Sequence, residues 1–533
     1  MAESETDPLD TTSGWGRWRG ALVALVAASV LAGVGLRFAS RSPLWLDEAL
    51  SVNIARLPLG EISEALRHDG HPPLYYWLLH AWIAVFGEDA AAVRAFSAVW
   101  GLALFPLLWV AGRRLGGSRV AIYAVCLLAV SPYAIRYASE TRMYAMVSVL
   151  ALAGWLLVDD ALRSPRMARL AAIAATVGLL VWTHYWALWF LGATGVGLAV
   201  HGWRARRDGR TADLRATAKV AGAMVVGGLS LLPWIPNLLY QGAHTGTPWA
   251  RPVRPTEMIA FTVSDFGGGP RAEGELLGWL LALAVILGLF GAAIDRFHID
   301  LDLRTRRAGR PFAILIAGTL ALACAVGYAT GATYATRYAS VFFPFFLLLA
   351  SLGIDQLRSR PVALGTVAVL VGLGGLVGVL NITESRSDAR RSADAIGAAG
   401  EPGDLVVYCP DQLGPATSRL LDPGFDQVTF PALAPPDLVD WVDYKERLRT
   451  VSPEDFAQEA LERAGSRDIF LVFSTNYQTH KVDRGSAGGG GGPVDLCVAL
   501  HHALGAERAP EVLTQSSDAY EWASVVRFTA RTP

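Results

Sequence analysis

Trp45-Leu46-Asp47-Glu48 sets two adjacent carboxylates a few residues beyond a long apolar run, where a partly desolvated acid can serve as a general base. The alternative is an ordinary solvated Asp-Glu pair. His71-Pro72-Pro73-Leu74-Tyr75-Tyr76 holds a histidine behind a double proline, which fixes an extended backbone and stops any preceding helix. An interfacial aromatic belt accounts for Tyr75, Tyr76 and Trp77 but not for His71, which could meet an anionic group there. Arg136-Tyr137-Ala138-Ser139-Glu140-Thr141-Arg142-Met143-Tyr144 is a charged turn between two apolar runs, carrying its arginines against the usual topological bias. Thr336-Arg337-Tyr338 precedes a Phe- and Pro-rich run, and its arginine could pair with a phosphate or anchor a lipid headgroup. His184 lies between two short apolar runs as a fifth place.

These residues sit in a chain of 533 that is 53% hydrophobic and only 17% charged, with a mean hydropathy of +0.35. Soluble proteins carry about 25% charged residues, so the composition predicts a polytopic membrane protein. A net charge of −1 without a basic, aromatic-laced patch excludes a nucleic-acid partner. The apolar content excludes disorder for most of the chain. Met1 to Ser13 reads as a disordered cytoplasmic tail and Gly20 to Phe38 as an uncleaved first span.

Further runs of spanning length lie near 91–111, 119–136, 143–161, 169–183, 185–202, 217–236, 276–294, 311–330, 338–356 and 361–380. The arginines choose the topology. If His71–Gly87 does not span, the clusters at 113–119, 163–169, 204–219, 296–310 and 358–360 all fall inside. That segment is therefore expected to lie on the outer face, with the amphipathic stretch Leu59–His68 beside it. The result is about eleven spans, long outer loops at 39–90 and 237–275, and an outer C-terminal region. All five candidate places then share one face, although chosen without regard to it.

Beyond residue 380 the composition changes. Asp404–Cys409, Asp468–Phe473 and Trp522–Thr529 read as strands, and Gln412–Leu421, Pro453–Ala464 and Val494–Leu504 as helices, predicting a small α/β domain. Gly485–Gly492 is a flexible loop without the spacing of a phosphate cradle. Cys409 and Cys497 leave open either a disulfide, in an oxidising compartment, or two separate buried thiols. The expected division is a tail at 1–19, a transmembrane domain at 20–380 and an extracytoplasmic domain at 381–533.

WLDEA after a first apolar run, HPPLYYWLLHAWIAVFG, the turn SETRMY and RY before an F/P-rich run, in that order, resemble a GT-C glycosyltransferase. The resemblance covers about residues 20–356 and is to the family-39-like enzymes, similar to lipid A aminoarabinose transferases and protein O-mannosyltransferases. It implies a polytopic fold and transfer of a sugar, with inversion, from a polyprenyl-phosphate carrier on the outer face of the cell membrane. The acceptor would be a lipid, a glycan or a protein, among membrane lipids. Asp47 would be the general base and Glu48 would orient acceptor or sugar. His71, Glu140, Arg142, Tyr144, His184, Arg337 and Tyr338 would contact substrate, with Arg337 on the carrier phosphate. The resemblance implies no certain cofactor. It leaves room for a divalent metal beside Asp47 and Glu48, which no ligand cluster demands. The rival class is a transporter or flippase of lipid-linked sugars, whose internal repeats and mid-membrane polar residues are not evident here.

Overall fold

The computed structural model describes residues 12–245, 253–331, 334–482 and 494–530, with side chains from 20 onward except 22. The N-terminal stretch through Thr11 and the Gly485–Gly492 loop lie outside the described residues.

Every expected span is helical over most of its length, although the run at 276–294 gives way to a strand at Gly291–Ala293. The helices are α1 (Thr12–Arg37), α2 (Leu46–Arg56), α3 (Leu59–Asp69), α4 (Leu74–Phe86), α5 (Ala90–Val130), α6 (Pro132–Ala138), α7 (Tyr144–Arg163) and α8 (Met167–Thr183). They continue with α9 (Ala187–Arg207), α10 (Thr211–Leu229), α11 (Ile235–His244), α12 (Pro255–Gly267), α13 (Ala272–Phe290), α14 (Arg310–Thr330), α15 (Phe343–Ile354) and α16 (Arg360–Thr383). Among the described residues, six helices are long and apolar enough to cross a membrane, and four shorter apolar ones accompany them. The 41-residue α5 holds two of the expected spans, because Gly116 and Gly117 leave helical geometry and Gly117 takes φ 78°. A short hairpin of β1 (Gly291–Ala293) and β2 (Ile299–Leu301) links α13 to α14.

The expected span at 119–136 ends early. The helix stops at Val130, Ser131 turns extended before Pro132, and its side chain accepts from the Ala134 N–H at 3.2 Å to start a separate α6. Arg37, buried in the last turn of α1, donates to the carbonyls of Leu128 and Ala129 at 2.8 and 3.0 Å, satisfying groups that the end of α5 leaves free.

The chain then enters a sheet-containing domain: α17 (Ala389–Ala399), β3 (Leu405–Cys409), α18 (Gly414–Ser418), β4 (Asp426–Thr429), α19 (Tyr444–Thr450), α20 (Pro453–Ala464), β5 (Ile469–Phe473), β6 (Lys481–Val482), β7 (Val494–Asp495), α21 (Leu496–Glu507), β8 (Arg508–Thr514) and β9 (Ser524–Ala530). The five-stranded order is β4-β3-β5-β9-β8, with β4, β3 and β5 parallel and β9 and β8 antiparallel additions. LVVYC and IFLVF are buried along nearly their whole length, as expected of parallel strands covered on both faces. The predicted helix at 412–421 is cut to five residues, starting at Gly414 with Pro415 in its first turn. Strands β4 and β8 carry too little hydrophobic pattern to be read from sequence. A disulfide joins Cys409 at the end of β3 to Cys497 at the start of α21.

The two parts are not separable at α2. Trp45, Leu46 and Leu50 are buried in the hydrophobic cluster formed by Leu405, Val407 and Leu471 of the sheet.

Candidate active site

Helix α2 begins without a side-chain cap of its own, because an extended Trp45 occupies the cap position. The cap comes from the far end of the chain: Glu521 Oε2 accepts the Leu46 N–H at 3.2 Å, while Tyr477 donates to Glu521 Oε1 at 2.8 Å. Burial pushes the Glu521 carboxyl up to about 8. Asp47 and Glu48 occupy the first turn, where the helix dipole favours negative charge. They face opposite ways.

Asp47 faces Arg337, whose Nη1 lies 3.0 Å from its Oδ2, with about a sixth of the Asp47 side chain exposed. Arg337 sits in the tight helical turn Thr336–Val341 that leads into α15. Around this pair, buried polar atoms lack hydrogen-bond partners: Asp47 Oδ2, both carboxylate oxygens of Glu140, the Tyr144 hydroxyl, and the Nε atoms of Arg142 and Arg337. Glu140 is 1% exposed, with Arg136 Nε 3.8 Å from its Oε2. Burial raises its carboxyl above the usual range, although Arg136 pulls the other way. Buried polar atoms are normally satisfied, so this cluster of unsatisfied ones is a candidate place for a polar ligand.

Glu48 is fully used. Its carboxylate takes a two-pronged bond from Arg94 on α5 at 2.7 and 2.6 Å and the Thr141 N–H at 3.0 Å, with Arg386 at 3.9 Å. Burial raises its carboxyl, but Arg94, with Arg386 and the Thr141 N–H, more than offsets this and holds it below the ordinary range. Arg94 spends its other donors on the carbonyls of Ser42 and Pro43, and Arg386 bonds the Ser139 carbonyl and hydroxyl. Glu48 thus ties three loops together and so fixes the turn on which Asp47 stands.

His71 forms a second unit. Its Nδ1 lies 2.8 Å from Asp69 Oδ2 and its Nε2 lies 3.0 Å from Arg142 Nη2. Arginine only donates, so Nε2 accepts and the proton sits on Nδ1, facing Asp69. The link between the two residues is Gly70 at φ 91°, where a Cβ would also meet the Thr245 hydroxyl at 2.8 Å. Arg142 further donates to the Ser51 hydroxyl at 3.1 Å and the Asp47 carbonyl at 3.4 Å. The guanidinium is thereby aimed by α2 and by His71 together.

His184 sits in a wall of rings, with centroids 6.2 Å from His71, 5.8 Å from Tyr144 and 5.2 Å from Tyr338. Burial holds its imidazole well below the ordinary range, so it is a neutral wall residue. Its Nδ1 accepts the Trp186 N–H at 3.1 Å, and Trp186 stacks on Tyr338 at 5.1 Å. The nine sequence-derived candidates therefore form one connected neighbourhood.

Sequence reasoning passed over Asp69, Arg94, Arg386 and Glu521. Asp69 had a signal, being one glycine before His71. The other three meet the site only through the fold. For a divalent ion beside Asp47 and Glu48 the residues do not fit: Arg337 and Arg94 hold the two carboxylates. Among the described residues no three His, Cys, Asp or Glu side chains gather as ligands.

The family model described as dolichyl-phosphate-mannose-protein mannosyltransferase matches residues 70–225, which include His71, Glu140, Arg142, Tyr144 and His184. The structure of ArnT from Cupriavidus metallidurans in the apo state aligns with a TM-score of 0.57 at 14% identity, covering 96% of this chain and 98% of that one. ArnT from the same organism bound to undecaprenyl phosphate aligns with a TM-score of 0.54 at 14% identity, over 97% and 98% of the two chains. Comparison with curated proteins gives no match. At this identity the likeness is one of fold, end to end.

Proposed function

We propose that this chain, which has the GT-C fold, is an integral-membrane inverting glycosyltransferase moving a sugar from a polyprenyl-phosphate carrier to an acceptor hydroxyl. The observation that carries the reading is the Asp47–Arg337 pair set among unsatisfied buried polar atoms. The acceptor oxygen attacks the anomeric carbon, the bond from that carbon to the phosphate oxygen breaks, and the electron pair leaves with the polyprenyl phosphate. Asp47 takes the hydroxyl proton. Arg337 and Arg142 stabilise the charge growing on the departing phosphate.

The pair also sets an order. A phosphate oxygen competes with Asp47 for Arg337, so arrival of the carrier frees the carboxylate for the acceptor. Glu140, Tyr144 and Tyr338 line the sugar between these groups. His71 acts through Arg142, with Asp69 fixing its tautomer.

Arg337→Ala is expected to lower donor use by about 10²-fold, as for loss of one preorganised donor to a developing anion. Arg337→Lys recovers only part, because the planar fork is lost. Titration of polyprenyl-phosphate-sugar against initial rate in membranes checks both, and an unaltered donor curve for the alanine variant removes Arg337 from the phosphate.

The arginine distribution further supports a site on the outer face, with the loop around Asp208 in the cytoplasm. A cysteine placed at Asp208 is expected to resist an impermeant thiol reagent in intact cells, and one at Asp440 to react. The opposite pattern inverts the topology.

A further inference from the structure

A cavity of about 740 Å³ lies at the seam between the α2–α3 module and the sheet-containing domain, which line it equally. Its size suits a ligand of a few sugar rings. One wall comes from the carboxyl ends of the parallel strands: Asp411 follows β3, Thr429 ends β4, and Ala432 and Ala434 follow it. Open α/β sheets bind ligands at that edge. The opposite wall runs along α2 and α3 from Leu50 to Asp69. Asp69 also lines the cavity, and from it a chain of hydrogen bonds runs through His71 and Arg142 to the Asp47 carbonyl.

The lining mixes apolar surface with polar groups that largely neutralise one another. Leu50, Ile54, Leu57, Pro58, Leu438 and Val439 offer flat apolar contact. Asp440 is held by His68 at 2.8 Å and Arg447 at 3.6 Å, and Arg56 turns to Glu88 at 2.6 Å. Asp411 accepts from the Tyr444 hydroxyl, and burial pushes its carboxyl up to about 7. Asp437, on the exposed rim, makes no ion pair among the described residues. Such a surface offers acceptors to hydroxyl groups and repels anions.

We propose that this cavity is the acceptor subsite and that it takes the uncharged, hydroxyl-rich end of a saccharide, an inference that rests on the glycosyltransferase reading. The sheet-containing domain is then the part that reads the acceptor, while the helical part reads the carrier. A sugar's apolar face packs on the leucine and proline side, and its hydroxyls donate to the Asp437 carboxylate.

The test measures binding to the full-length protein in nanodiscs without donor, by saturation-transfer NMR. The probes are neutral disaccharides and trisaccharides of mannose, glucose and galactose, an anionic oligogalacturonate and a cationic tetralysine. At least one neutral saccharide is expected to bind, and the anionic probe is not. Ala432→Trp from one wall and Ala65→Trp from the other should each weaken that binding by about 10-fold or more, as for filling a ligand's own volume. Thermal melting identifies a variant that fails to fold. Asp437→Asn keeps the neutral saccharide and admits the anionic probe. Binding untouched by both fillers, preference for tetralysine, or no saccharide binding at all overturns the proposal. A separate assay follows slow, Asp47-dependent release of free sugar from a polyprenyl-phosphate donor by the unaltered protein. Saccharide binding without any donor cleavage sinks the glycosyltransferase reading and spares the cavity's ligand class.

Discussion

Asp47→Asn is expected to abolish most sugar transfer, by at least about 100-fold, while the protein stays folded at ordinary levels. The side chain is partly exposed, its ion pair among the described residues is with Arg337, and its Oδ2 has no hydrogen bond there, so the amide disturbs little of the packing. What it removes is the proton acceptor. The neighbouring acids are poor substitutes: Glu48 has its oxygens committed to Arg94 and Thr141, and Glu140 is pushed toward its protonated form by burial. The measurement is transfer from a polyprenyl-phosphate donor in membranes, with expression and melting temperature followed alongside. Near-normal transfer would move the base to Glu140. Absence of transfer by the unaltered protein with every polyprenyl-phosphate donor would favour a transporter of lipid-linked sugars.

The second large effect is on stability. Arg94→Ala leaves the Glu48 carboxylate buried and fully enclosed without its strongest partner, and removing one member of such a pair costs about 3–5 kcal/mol. The same substitution frees the carbonyls of Ser42 and Pro43, loosening the approach to α2. Glu48→Gln is milder, since it keeps the shape and one acceptor. Chemical or thermal unfolding in detergent, read at several detergent concentrations, should place Arg94→Ala far below Glu48→Gln and both below Asp47→Asn. If Glu48→Gln instead loses transfer with unaltered stability, Glu48 touches substrate and is not a positioning residue.

The helical part was legible because long apolar runs and arginine placement are strong signals, and each expected span is helical over most of its length. Boundaries failed where local chemistry overruled hydropathy, as at Ser131-Pro132, which detaches α6 from α5. The core strands β3 and β5 were legible as unbroken apolar runs. The edge strands were not, since β8 is exposed over Ala509–Val512 and alternates little. The nine candidates were found because charges at the margin of apolar runs are costly and therefore conspicuous. The division of labour between Asp47 and Glu48 was not legible: adjacent carboxylates look alike until the fold shows which one Arg94 has taken. Arg386 and Glu521 lie in ordinary polar sequence, and only their contacts distinguish them.

The Leu46 N–H is bonded by a residue 475 positions further along the chain, and Glu48 lies beside an arginine that follows the last membrane helix. A ribosome therefore releases the whole helical bundle into the bilayer before the segment that caps α2 exists. On the proposed function and topology, transfer activity is expected only once residues 386–521 have crossed the membrane and folded. A truncation anywhere before Glu521 is expected to give an inserted but inert protein, because the carboxylate that caps α2 is then missing.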